Sequence, residues 1–140
     1  MKEFRVLWVG NCGWLKGLWY LSKAMESLPL NVKLVVVGLE NKKEVERIKE
    51  VKNLELFGQI STEELSIQYQ KADVLCVPSV YEAFGLVFAE AQCFGLPCIG
   101  SKGTGAEETI IDRKNGYLVE KRDVKGIANA IRKVMKKGEC

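Results

Sequence analysis

The sequence predicts an α/β domain: a doubly wound, mainly parallel sheet of six strands with helices on both faces. Three observations predict it. Short runs of nearly continuous apolar residues, the pattern of strands buried on both faces, alternate with stretches of helical period. Several of those runs end directly on a glycine, at Gly10, Gly38 and Gly58, as strands entering a loop do. The third is a single stretch, Pro78 to Ala91, in which a strand ends, a loop follows and Gly85 opens a helix. An open parallel sheet binds anions and nucleotides at such a place.

In chain order, Phe4 to Val9 reads as the first buried strand, and Gly10-Asn11-Cys12-Gly13-Trp14 as the loop after it. Leu15 to Leu28 places Leu18, Leu21, Met25 and Leu28 at helical spacing, with Trp19 expected to pack on the body of the domain. Val32 to Val37 is a second buried strand closed by Gly38. Lys42 to Val51 is charged with a thin apolar stripe, Val45 and Ile48, and reads as a surface helix. Leu54 to Phe57 is a short strand ending at Gly58. Ser61 with Glu64 three residues on is a capping-box pattern, and its helix continues through Leu65 to Lys71.

Ala72 to Val77 is the fourth strand, and the helix opened by Gly85 ends at Gly95. Leu96 to Gly100 is a strand with its proline near the start. Glu107 to Ile111 reads as one helical turn, Asn115-Gly116 as a turn and Tyr117 to Val119 as the sixth strand. Asp123 is placed to cap the last helix, whose apolar face is Val124, Ile127, Ala128, Ile131, Val134 and Met135. The strand order is expected to reverse between the first strand and the strand before Pro78, so that the loops of both face one crevice.

The 140 residues suffice for one domain with a core that needs no staples. The net charge of +3 is too mild to argue for nucleic acid as a partner. There is no histidine, which removes the usual general base and the usual metal ligand. The five cysteines, Cys12, Cys76, Cys93, Cys98 and Cys140, include no CxxC pair and read as reduced, mostly buried thiols of a cytoplasmic protein. No signal peptide is visible and no apolar run reaches the length of a membrane span.

The chemistry concentrates on Pro78 to Ala91. A helix start carries unpaired N–H groups and about half a positive charge, which suit a phosphate. Glu82, on the loop, and Glu90, within the first turns of the helix, flank that start with seven residues between them. Carboxylates repel phosphate but accept hydrogen bonds from hydroxyls. A ligand with both parts, such as a sugar nucleotide, satisfies both groups. The loop Gly10 to Gly17 adds backbone that a ligand can approach closely, and Lys16 supplies a cation at a helix start. Its spacing is neither the dinucleotide GxGxxG nor a Walker A loop.

Glu82-Ala83-Phe84-Gly85 through Glu90-Ala91 resembles the Glu-seven-residues-Glu motif of retaining, nucleotide-sugar-dependent glycosyltransferases of family four, the glycosyl transferases group 1. Those enzymes have the GT-B architecture, two Rossmann-like domains facing a cleft, and the whole chain, 1–140, resembles the C-terminal, donor-binding one. Lys16 and Gly17 match the family's Lys-Gly, where an Arg and the Lys grip the donor diphosphate; Asn11 stands in the place of the Arg. Gly103-Thr104-Gly105-Ala106-Glu107-Glu108 resembles the family's Gly-Gly-x-x-Glu segment.

The resemblance implies Glu90 on the ribose hydroxyls and Glu82, as the catalytic residue, beside the donor sugar. It places the backbone of Phe84, Gly85, Leu86 and Val87 on the diphosphate or sugar hydroxyls. It places Lys16, Gly10 and Asn11 in the first loop, with Gly38 and Gly58 near the nucleotide base. A UDP- or GDP-sugar is the implied donor, with no cofactor and no metal. Because the chain opens at Met1 almost on its first strand, the N-terminal acceptor domain is expected to be absent from it or to be a separate subunit. The isolated domain is then expected to bind donor weakly and to be inactive. The alternative is a non-catalytic nucleotide-sugar-binding or scaffolding module, for which Asn11 speaks, since Asn cannot neutralise a leaving diphosphate. The basic final segment, Lys121 to Cys140, leaves peripheral contact with an anionic membrane open.

Overall fold

The computed structural model describes residues 2–138. Cys140, expected as a reduced thiol, and Met1 lie outside the described residues. Six strands form one sheet: β1 (Phe4–Val9), β2 (Val32–Val37), β3 (Leu54–Phe57), β4 (Val74–Cys76), β5 (Cys98–Ser101) and β6 (Gly116–Val119). Their order is β3-β2-β1-β4-β5-β6, and every pairing is parallel. The order reverses between β1 and β4, as expected from the sequence. The register pairs Phe4 with Val32 through Val9 with Val37 on one side of β1, and Val6 with Val74 on the other. Both faces of the central strands are covered, so Val6, Leu7, Trp8, Leu34, Val36 and Leu75 are all buried although neighbours along a strand point opposite ways.

Four helices connect strands, α1 (Leu18–Met25), α2 (Lys42–Ile48), α3 (Thr62–Lys71) and α4 (Leu86–Cys93), and α5 (Val124–Gly138) follows the last strand. Right-handed crossovers put α1 and α2 on one face and α3 and α4 on the other. The contacts agree. Tyr69 of α3 stacks on Phe94 at the end of α4, with ring centroids 5.2 Å apart. The last helix returns to the first face beside α1, where Arg132 Nη2 donates to the Ser27 carbonyl at 2.7 Å. Its buried stripe is Ile127, Ala128, Ile131 and Val134, with Ala130 added, while Val124 and Met135 are partly buried. Burying Ile127 and Ile131 contributes about 2 kcal/mol each.

Local signals hold where a side chain sets the end of an element. Both halves of the capping box form: Glu64 N donates to Ser61 Oγ at 3.1 Å and Ser61 N to Glu64 Oε1 at 3.3 Å. Asp123 Oδ1 accepts from Gly126 N at 3.0 Å at the start of α5. Trp19 is half-buried, with Lys23 and Arg47 over its ring.

Two strands are narrower or shifted, Val74–Cys76 for Ala72 to Val77 and Cys98–Ser101 for Leu96 to Gly100, and three helical elements differ from the sequence expectation. The first helix is shorter than Leu15 to Leu28. The buried Trp8 indole donates to the Lys16 carbonyl at 3.0 Å and ties that residue to the loop, while Ser27 N and Leu28 N bond three residues back in a tightened end. The helix expected to reach Val51 stops at Ile48. The turn expected over Glu107 to Ile111 is a 3-10 turn, Gly105–Glu108, because Thr104 Oγ1 accepts from Ala106 N and starts it earlier.

Gly17, the residue before α1, has φ 73° and lies against the Pro78 carbonyl, where a Cβ would collide with backbone. Gly95 has φ 75° with open space around it. Gly95→Ala is therefore expected to cost about 1 kcal/mol, the price of the left-handed conformation alone. Gly17→Ala should cost about 3 kcal/mol or more, because two loops must also separate. Urea midpoints of the two variants at unchanged m measure the difference.

Candidate functional site

The site lies at the C-terminal ends of the central strands, where the loops after β1, β2 and β4 meet. They are joined through backbone. Val80 N and Tyr81 N both donate to the Leu15 carbonyl, at 2.8 and 3.3 Å, which fastens the β4 loop to the β1 loop. Gly10 N donates to the Val37 carbonyl at 3.0 Å, and Gln59 Nε2 to the Gly38 carbonyl at 3.2 Å. Gly105 N donates to the Glu82 carbonyl at 2.6 Å and holds the far side of the β4 loop.

These loops enclose a cavity of about 480 Å³. Of the residues expected at a donor site, Gly10, Asn11, Lys16, Gly38, Glu82, Phe84, Leu86, Val87 and Glu90 line it. Gly85 does not: it is buried as the cap of α4 with φ 65°, in contact with the Gly105 carbonyl. Gly58 does not either. It stands beside Glu40, and Gln59 and Ile60 line the cavity in its stead. A larger cavity of about 560 Å³ opens between Phe4, Asp73, Tyr117 and Lys137, at the opposite end of the strands. It has no helix N-terminus at its wall, and the sheet's switch point does not feed it.

Helix α4 begins without a side-chain cap. Among the described residues, the N–H groups of Phe84, Gly85, Leu86 and Val87 find no acceptor. They are the unpaired donors that a helix start offers to an anion. Lys16 is the one cation lining the cavity among the described residues. Its Nζ lies 3.0 Å from Glu82 Oε1, with the two side chains 26% and 12% exposed. Ser79, itself buried, donates to the same oxygen at a long 3.3 Å. An ammonium has three donors, so Lys16 keeps N–H groups for a ligand while it holds Glu82.

Glu90 sits exposed at the mouth, and its Oε2 accepts from the Tyr69 hydroxyl at 3.2 Å. Burial first, then the Glu90 carboxylate, push the Tyr69 phenol well above its ordinary range, so it stays a donor. Sequence reasoning missed Tyr69 and Leu65, which lines the cavity from α3. Their spacing of four residues on a mostly polar helix, with Ile67 on its exposed side, was the available signal. Tyr81, Phe84 and Leu86 form an exposed apolar rim. The described residues include no group of three or more His, Cys, Asp or Glu able to hold a metal ion.

A parallel sheet with this switch point, and a bare helix start opening into the crevice there, defines a Rossmann-like domain. The profile of the family described as Glycosyl transferases group 1 matches residues 1–139, and the chain belongs to that family. It is 34% identical over 131 residues to a D-inositol 3-phosphate glycosyltransferase of Xylanimonas cellulosilytica, covering 84% of this chain and 30% of the relative. It is 31% identical over 140 residues to an uncharacterized glycosyltransferase of Methanocaldococcus jannaschii, covering 95% and 36%. The chain thus spans about a third of the length of these curated relatives.

Among solved structures it resembles the sucrose-phosphate synthase of Thermosynechococcus elongatus with a TM-score of 0.86 and 33% identity, over 98% of this chain and 37% of that one. It resembles WaaG, a glycosyltransferase involved in lipopolysaccharide biosynthesis, with a TM-score of 0.87 and 26% identity, over 99% and 39%. Those coverages fit the expectation that this chain corresponds to one half of a GT-B enzyme.

The thiols around the site differ in reach. Cys76 and Cys98 lie within the sheet; burial pushes the Cys98 thiol up to about 12 and raises Cys76 as well, with Cys98 adding to the latter. Cys93 is exposed on α4. At pH 8 a thiol reagent is expected to modify Cys93 ahead of the partly exposed Cys12 and to reach Cys76 and Cys98 only on unfolding, because the thiolate is the reactive form. Peptide mapping of the labelled chain checks the order.

Proposed function

We propose that this chain is the donor-binding half of a retaining glycosyltransferase that moves a sugar from a nucleotide-diphosphate sugar to an acceptor hydroxyl. One observation carries the reading: Phe84, Leu86 and Val87, whose N–H groups find no acceptor among the described residues, line the same cavity as the Lys16 ammonium and two carboxylates. Those N–H groups and Lys16 meet the diphosphate. Glu90 takes the ribose hydroxyls, and Glu82 stands by the sugar. In the transfer the anomeric C–O bond breaks with its electron pair on the departing diphosphate, the acceptor oxygen bonds the anomeric carbon, and the proton of the acceptor hydroxyl passes to a diphosphate oxygen. Helix-start dipoles and Lys16 stabilise that charge as it forms, which requires no metal ion in this proposal.

A UDP- or GDP-sugar is the proposed donor, and an acceptor domain or separate subunit supplies the other wall of the cleft. The isolated chain is proposed to bind donor without turning it over. Among the described residues no helix is long and apolar enough to cross a membrane. Contact with an anionic membrane surface would fall to the outward side of α5, where Lys125, Arg132, Lys133, Lys136 and Lys137 are exposed. The second reading, a binding module without catalysis, is favoured by Asn11, which leaves Lys16 as the one described cation in the cavity.

Titration with UDP, GDP and their sugars, with no divalent metal added and Trp fluorescence as readout, tests the assignment. Glu90→Ala and Lys16→Met are each expected to weaken the nucleoside diphosphate about tenfold, the value of one charge-assisted hydrogen bond. Glu82→Ala should weaken only the sugar nucleotide, and by freeing Lys16 should leave the bare diphosphate bound at least as tightly. Parent-like binding by all three variants contradicts the site. Sound donor binding with no transfer, once an acceptor domain is joined to the chain, favours the second reading.

A further inference from the structure

Glu90 poses a problem of precision. It is an exposed glutamate on the second turn of α4, with rotatable bonds and water on one side. An unrestrained side chain of this kind spreads over several rotamers, and ordering it opposes binding. One group restrains it. Tyr69 is 2% exposed, projects from α3 across to α4, and donates its hydroxyl to Glu90 Oε2 at 3.2 Å.

The ring of Tyr69 is fixed by a separate contact. It stacks on Phe94 at an interplanar angle of 17°. Phe94 follows Glu90 by four residues at the end of α4, so the two lie on one side of that helix. A single tyrosine thus seats its ring on the second of these residues and its hydroxyl on the first. Phenylalanine would keep the stack and lose the hydroxyl. The phenol stays protonated, for the reasons given above, and so remains a donor to the carboxylate. The second carboxylate oxygen makes no hydrogen bond among the described residues, and Glu90 lines the cavity.

We propose that Tyr69 is a positioning residue: by binding one oxygen of Glu90 it turns the other toward the crevice, where it accepts from the ribose hydroxyls of the donor nucleotide. This rests on the assignment of Glu90 in the proposed function. It goes beyond that assignment in naming a buried side chain outside the motif as the group that orients Glu90 for a ribose that carries hydroxyls.

The test measures affinities of the parent, Tyr69→Phe and Glu90→Ala for UDP and 2′,3′-dideoxy-UDP, with the GDP and ADP pairs alongside, and the melting temperature of each variant. Tyr69→Phe is expected to weaken the ribonucleotide about three- to tenfold, one neutral-to-charged hydrogen bond, and to leave the dideoxy form unchanged. Glu90→Ala should abolish the preference for ribose entirely. If Glu90→Ala abolishes the preference and Tyr69→Phe keeps it whole, the positioning role is overturned and the Glu90 assignment stands. If Tyr69→Phe weakens both nucleotides equally while lowering the melting temperature, the tyrosine is structural and the proposal fails. A parent that binds no nucleotide, or a Glu90→Ala variant that still prefers ribose, overturns the Glu90 assignment and the positioning role with it.

Discussion

The structure depends on backbone contact between two loops. The loop after β1 and the loop after β4 are brought together by the reversal of strand order, and they touch main chain to main chain at Leu15 with Val80 and Tyr81, and at Gly17 with Pro78. This contact sets the distance between Lys16 and the start of α4. A side chain at position 17 would force the loops apart. The Trp8 indole, buried in β1, holds that same end of the loop from below through the Lys16 carbonyl. Packing in the sheet thereby positions a charge in the crevice, and the family's Lys-Gly pair becomes one mechanical unit.

The electrostatics of the crevice are mixed, and the mixture is informative. A site for bare phosphate would gather cations and exclude carboxylates. Here a helix start and one lysine share a cavity with Glu82 and Glu90. Lys16 and Glu82 neutralise each other at 3.0 Å, which lowers the cost of keeping both in a partly buried place. In the proposed function a diphosphate meets a lysine that can serve both anions, and donors on α4 that find no acceptor among the described residues. Asn11 leaves this balance thinner than an arginine would.

Much of this was legible in the sequence, for identifiable reasons. The strands were visible because a parallel sheet covered on both faces makes its central strands nearly continuous apolar runs, broken in β1 by Arg5 and in β2 by Lys33, while the edge strand β3 keeps only Leu54, Leu56 and Phe57 around Glu55. The switch point followed from the order of strands and helices. Nine of the expected site residues line the cavity because they sit on loops, or on the first turns of α4, whose position the sheet dictates. Gly58 and Gly85 fell outside the wall for reasons of side-chain-free backbone. One is displaced by its neighbour Gln59, and the other is turned inward to cap a helix. The start of α1 was misplaced because the tie from Trp8 to Lys16 is a tertiary contact with no local signature. Tyr69 went unseen because its role depends on α3 lying beside α4, a relation that helical period alone does not contain.

The central claim is that the start of α4 receives the diphosphate. The most direct measurement is a two-dimensional amide spectrum of the isotope-labelled chain titrated with inorganic pyrophosphate and then with UDP. The account predicts the largest shifts at the amides of Phe84 to Val87 and in the loop from Gly10 to Gly17, with pyrophosphate alone reproducing the shifts at α4. Shifts confined to the other end of the sheet, around Asp73, Tyr117 and Lys137, with Phe84 to Val87 unmoved, would contradict it.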